Sequence, residues 1–270
     1  MMKIFLIAAV ILSSAVCFAQ NISWSEVDDG LYYGEFKADV KTDFADSVVS
    51  VLKIDPAKYN FHLLSSKEDK SDNKTADEWA KDNGLLAVIN AGMFIREDHK
   101  TNCGFMKNFD FINNSVLTKD NTVTAFNRKD KSVPEFQIID LQDQDWDVLK
   151  EKYNSFTQSI RMISSNQNNV WTVQEKYWSV VTIGKDKDGN ALFIFCRSPY
   201  RMHDFVNIIL KAPLNIYNMM YLEGGPEASF YVNHNGFVIG KMGSYETGFN
   251  ENDSNVVFWE IPNVIGITKK

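Results

Sequence analysis

What this chain lacks narrows its chemistry first. Three cysteines in 270 residues are too few for a cysteine-rich zinc site, and His62, His99, His203 and His234 show no metal-ligand spacing. No Ser-His-Asp order stands out. Glycine, proline and serine never cluster into a flexible linker, and there is no internal repeat or low-complexity run. Basic residues form no stripe, and the formal charge is −7. That argues against nucleic acid as a partner, because binding it needs a row of cations that releases counterions. A phosphate-bearing ligand stays compatible where a few local cations offset the general field.

No apolar run reaches the roughly 20 residues that span a bilayer, so stable membrane insertion is not expected. The most apolar stretch opens the chain: Lys3, an unbroken run over residues 4–12, then small residues ending at Ala19. This pattern predicts a secretory leader over residues 1–19, a mature start at Gln20, and a periplasmic or secreted location. A lipoprotein reading centred on Cys17 is disfavoured by the bulk of Val16. Of the cysteines only Cys103 and Cys196 then remain. An oxidising compartment permits a bridge, but neither spacing nor neighbours point to one, and Cys196 lies in an apolar strand where a buried thiol is ordinary.

Residues 20–270 read as one α+β domain, a mainly antiparallel or mixed sheet with a few covering helices. Strands are predicted over 48–54, 59–64, 85–89, 159–164 and 218–222. Residues 180–184 and 191–196 flank an Asp188-Gly189 turn, and 229–234 and 237–239 flank Asn235-Gly236, so both pairs read as hairpins. Thr75 and Glu78 form a capping box and Gly84 supplies a stop, which predicts a short helix between them. Further helices are expected over 145–153 and 204–210. Between Gly104 and Phe136 the text is polar and asparagine-rich and reads as short strands and long loops. Asp143 to Asp147 begins like a calcium loop, but Val148 and Asn154 stand where the required glycine and final glutamate should be.

Chemistry concentrates at the run Leu222-Glu223-Gly224-Gly225-Pro226-Glu227. It sets a carboxylate at the mouth of an apolar strand just before paired glycines, Gly224 and Gly225, that allow close backbone approach to a ligand. Asn90-Ala91-Gly92 ends another apolar strand in the same way, so Asn90 and Gly92 are candidate contacts on one rim with Glu223. Each is also readable as an ordinary strand-to-turn junction. Glu227 is a candidate partner carboxylate or simply a helix-start charge. Arg161, Arg197 and Arg201 are candidate phosphate clamps, Ser198 and Asn108 candidate hydrogen-bonding groups, and surface ion pairs or loop formation their plain alternatives. His203 reads as a helix N-terminal polar residue. Trp171, Tyr177 and Trp178 suit sugar stacking, with the core reading slightly ahead.

Taken together, residues 90–94, 104–108, 158–162, 193–205, 223–226 and 243–249 resemble the phosphodiester glycosidase family, bacterial relatives of the uncovering enzyme that removes N-acetylglucosamine from a sugar phosphodiester. The likeness runs from about Val51 to Ile267. It departs at Glu223, where many members carry aspartate, at Ile160-Arg161, where many carry glycine-proline, and at residues 174–178, which lack the usual arginines. The resemblance implies an exported hydrolase that cleaves the sugar–phosphate bond of a sugar-1-phosphodiester or phosphate-containing glycan, in surface or extracellular polysaccharide metabolism, without metal or organic cofactor. Glu223 would be nucleophile or base and Arg161, by matching position, the phosphate clamp. The other reading is a carbohydrate-binding or envelope-assembly protein that kept the fold and lost the chemistry.

Overall fold

A computed structural model describes residues 22–270; the expected leader lies outside the described residues. Its elements begin with strands β1 (Ser23–Asp28), β2 (Leu31–Lys37), β3 (Val48–Ile54) and β4 (Tyr59–Ser65), helices α1 (Ser66–Asp69) and α2 (Ala76–Asn83), and β5 (Ala87–Asn90). The middle third holds β6 (Met106–Asn108), β7 (Phe111–Asn114), β8 (Asn121–Arg128), β9 (Phe136–Asp140), α3 (Trp146–Leu149) and β10 (Tyr153–Ile163). Then follow β11 (Trp178–Asp186), β12 (Ala191–Tyr200), α4 (Met202–Lys211), β13 (Ile216–Gly224), a single 3-10 turn (Gly225–Glu227), β14 (Ser229–His234), β15 (Phe237–Met242) and β16 (Asn263–Lys269).

An 11-stranded sheet with the path β1-β2-β3-β12-β11-β13-β10-β6-β7, on which β8 and β9 also hang, faces a 5-stranded sheet ordered β15-β14-β5-β16-β4. All ladders are antiparallel. Period-2 alternation explains the layering. On β12, Phe193 and Phe195 join Leu52, Phe61, Phe230 and Ile265 in the core between the sheets, while Leu192, Ile194 and Cys196 turn outward to meet Phe205, Val206 and Ile209 of α4. Both faces of this strand are therefore apolar, and each fully buried side chain contributes about 1.5–3 kcal/mol. Helix α2 covers the outer face of the smaller sheet through Trp79, whose indole N–H donates to the Ile261 carbonyl at 2.9 Å. The capping box forms as expected, with the Thr75 amide donating to Glu78 at 2.9 Å.

The expected helix over 145–153 shrinks to the single turn of α3, and the polar stretch before residue 159 is strand, so β10 starts at Tyr153. Cys103 and Cys196 are free thiols. Among the described residues no helix is long and apolar enough to cross a membrane.

Candidate active site

The C-terminal end of β13, the 3-10 turn after it, the loop following β5 and residues 243–250 meet around a cavity of about 540 Å³. Glu223, Glu227 and Glu246 all line it, with Arg96 and His99 on the loop after β5 and an aromatic floor of Trp171, Trp178 and Tyr221. The floor rings pack tilted or edge-on at 5.5–6.5 Å between centroids, a geometry aromatic pairs favour. Glycine is required where the carboxylates converge. Gly225 has φ +61°, and a Cβ there would overlap the Glu246 carboxylate; one on Gly224 would overlap Trp178 and the Tyr221 hydroxyl.

Asn90 holds this corner together. Its amide donates to the Glu227 carbonyl at 3.0 Å and accepts from the Ser229 amide at 2.8 Å. It is buried with its side chain fully engaged by protein, so it fixes the turn that presents Glu227. Gly92 has φ +148°, and a side chain there would run into the Asn102 amide oxygen at 2.5 Å.

The electrostatics follow from three carboxyls sharing one partly enclosed space. Burial, then Glu227 and Glu246, push Glu223 up to about 8, against the opposing hydrogen bond from the Gly224 amide. Glu227 is pushed up to about 7 by burial and Glu246, with its own backbone amide and Arg96 pulling the other way. Glu246 is also raised by burial, and Arg96 and Lys176 oppose the rise. Both cations thus favour charge on Glu246, one on Glu227, and neither is a resolved influence on Glu223. Proton occupancy belongs to the set, and the upward push is strongest on Glu223. Cys103, also on the wall, is raised to about 11 by burial and the charge of Glu223, so it stays a thiol.

The arginines sort by partner. Arg161 is not brought to the cavity: its guanidinium donates to the fully buried Asp140 at 2.5 and 2.9 Å and reaches Asp143 at 3.4 Å. Arg197 pairs with Asp253 at 2.7 Å and donates to the carbonyls of Met242, Asp253 and Asn255. Arg201 pairs with Glu175 and Arg128 with Glu135. Arg96 alone of the five makes no ion pair or hydrogen bond among the described residues, and it faces two carboxylates across the cavity. Asn108 donates to Glu68 at 3.1 Å and accepts from Ser155 at 2.8 Å, and buried Ser198 accepts from the Ser47 amide at 2.7 Å; neither lines the cavity.

Sequence reasoning missed Arg96, His99 and Glu246 as site residues. The Glu246 segment was visible only as part of the family likeness, and Arg96 carries no local signal in its loop. No group of three or more histidine, cysteine, aspartate or glutamate side chains able to hold a metal occurs among the described residues.

A two-sheet sandwich whose strand β13 ends in a carboxylate cluster on an aromatic floor defines the candidate active site. The profile of the phosphodiester glycosidase family matches residues 83–268, and the chain belongs to that family. The fold is similar to that of a hypothetical protein from Synechocystis, with a TM-score of 0.61, 12% identity, and coverage of 94% of this chain and 64% of the other. This chain thus spans less than two thirds of that protein. It is also similar to the zebrafish N-acetylglucosamine-1-phosphodiester alpha-N-acetylglucosaminidase catalytic domain, auto-inhibited by its pro-peptide, with a TM-score of 0.59, 14% identity, and coverage of 93% and 89%. No curated protein sequence matches.

Proposed function

We propose that this chain is an exported hydrolase that breaks the bond between a sugar and the phosphate of a sugar-1-phosphodiester, in the turnover of a surface or extracellular polysaccharide. The observation that carries the reading is the convergence of Glu223, Glu227 and Glu246 with the unpaired Arg96 over an aromatic floor. The rings suit the apolar face of a pyranose, and Arg96 offers a planar fork to the phosphate oxygens. Arg96 takes the clamp role expected of Arg161, which Asp140 occupies.

The leaving group is a phosphate monoester whose second pKa is about 6, so it departs with little need of a proton. In the reaction the C1–O bond breaks with its electrons going to the phosphate, and the oxygen of water bonds to C1. One proton of that water passes to an ionised carboxylate, Glu227 or Glu246. Glu223 is assigned the protonated role in place of nucleophile or base: its raised proton affinity lets it donate a hydrogen bond to the substrate at neutral pH. The test is hydrolysis of a panel of sugar-1-phosphodiesters in oxygen-18 water. Label on the released sugar supports the reading, whereas label in the phosphate monoester or no turnover across the panel overturns it.

A further inference from the structure

We propose that Arg197 is a positioning residue for Glu246, its guanidinium clamping both ends of the loop that carries this carboxylate into the cavity. The role presupposes the hydrolase reading only in what Glu246 is for. Arg197 stands on β12, outside the cavity lining, and reaches the loop at its start and its close. One terminal nitrogen donates to the Met242 carbonyl at 2.9 Å, the other to the carbonyls of Asp253 at 3.0 Å and Asn255 at 2.8 Å, and Nε donates to the Asp253 carboxylate at 2.7 Å.

Between those anchors the loop is tied to itself and to the strand that supplies Trp178. The Ser244 hydroxyl donates to the Asn252 carbonyl at 2.9 Å, and the side chains of Asn250 and Asn255 donate to the carbonyls of Ser244 and Gly243. The Ser179 hydroxyl donates to the carbonyl of Arg197 itself at 2.6 Å and accepts from the Ser244 amide at 3.0 Å. Two residues on, the backbone of Glu246 bridges Trp178. The Glu246 carboxylate therefore arrives over Gly225 with no slack, in a space a single Cβ would fill.

Charge alone does not make this clamp. Three carbonyls and one carboxylate at those distances need a planar group with donors along two edges, and an ammonium on a flexible stem has one point of contact. Arg197→Lys thus keeps the charge and loses the geometry. Glu246 faces Glu223, Glu227, Arg96, Lys176 and Tyr221, with His99 also on the cavity wall, so its displacement changes how the remaining carboxyls titrate.

The experiment is a cycle of wild type, Arg197→Lys, Glu246→Gln and the double variant, read in two ways. In carbon-13 NMR of labelled glutamate carboxyls, Arg197→Lys is expected to move the Glu223 and Glu227 transitions by about half a pH unit or more toward the ordinary range. In the Glu246→Gln background it adds nothing. With the turned-over sugar-1-phosphodiester, kcat is expected to drop about 10- to 100-fold, as a misplacement of about 1 Å can cause, and by less than about twofold once Glu246 is gone. Equal effects of Arg197→Lys in both backgrounds, or unmoved carboxyl titrations, overturn the proposal. If wild type turns over no phosphodiester, the hydrolase reading fails while the NMR arm still decides the role of Arg197.

Discussion

Replacing Glu223 by glutamine is expected to stabilise the protein, with the gain growing as pH rises, and to remove the alkaline fall in turnover. The carboxyl has an ordinary value of 4.5 and is held at about 8 in the fold. Between those values the folded state binds a proton that the unfolded state has released, so stability falls as pH rises through that window and the loss is complete above pH 8. At about 1.4 kcal/mol per pH unit the full gap is worth about 5 kcal/mol; the open cavity screens part of this, which leaves about 3 kcal/mol. Glutamine has the same shape and no charge to desolvate. Urea unfolding at pH 5 and pH 9 reads the difference. The variant's midpoint should exceed wild type by little at pH 5 and by about 1 M or more at pH 9, given slopes of about 2–3 kcal/mol/M. Turnover at neutral pH should stay within about tenfold of wild type, because the amide still donates a hydrogen bond, and should no longer fall above about 8. Equal midpoint shifts at both pH values, or a variant less stable at pH 9, would refute the reasoning. A loss of about a thousandfold or more would mean that Glu223 transfers a proton or attacks carbon and would refute its role as a hydrogen-bond donor.

The two arginines at issue should separate cleanly. Arg161→Met strips the partner from buried Asp140 and should lower stability by about 3–5 kcal/mol, whereas Arg96→Met should leave stability within about 0.5 kcal/mol and raise KM for phosphodiesters; calorimetry and kinetics check both. The pH–rate profile should be bell-shaped, falling below about 7 as Glu227 gains a proton and above about 8 as Glu223 loses one. A profile flat from 6 to 9 contradicts the assignment. Gly225→Ala forces a Cβ at φ +61° into the Glu246 carboxylate, so it should lower stability by about 1–2 kcal/mol and abolish turnover; normal kcat would show that Glu246 is dispensable.

The elements that carry their own signal were legible in the sequence. Asp188-Gly189 and Asn235-Gly236 mark the turns of β11–β12 and β14–β15, where Gly189, Asn235 and Gly236 adopt positive φ. The first half of β10 hides its strand in polar letters. Buried Thr157 donates to the Ala91 carbonyl, and the Gln158 side chain accepts from the amides of Phe105 and Thr118 and donates to the Thr118 carbonyl. Such residues read as loop until their partners, drawn from distant segments, are known. β1 was missed because it is a half-exposed edge with little apolar text, whereas β2 was missed although Leu31, Tyr33 and Phe36 are buried in it. At the site, Glu223, its glycines and Glu227 are contiguous and were found together. Arg96 and Glu246 come from separate loops, and the job of an arginine depends on which carboxylate reaches it first. Asp140 claims Arg161 and Asp253 claims Arg197, and neither contest leaves a mark in the local sequence.

The position of β16 bears on how the molecule comes into being. It is inserted between β5 and β4 rather than added at a rim, with Lys269 opposite Tyr59 and Ile265 opposite Ile89. Partners about 200 positions apart must therefore find each other before the smaller sheet exists, a long-range closure of the kind that slows folding. Without residues 263–269, β4 and β5 stand apart with a strand-wide slot between them, and the sheet-facing side chains of β3 and β12 have no complete lid. Closure of the smaller sheet thus waits on residues 263–269, and until they dock β4 and β5 share no neighbour.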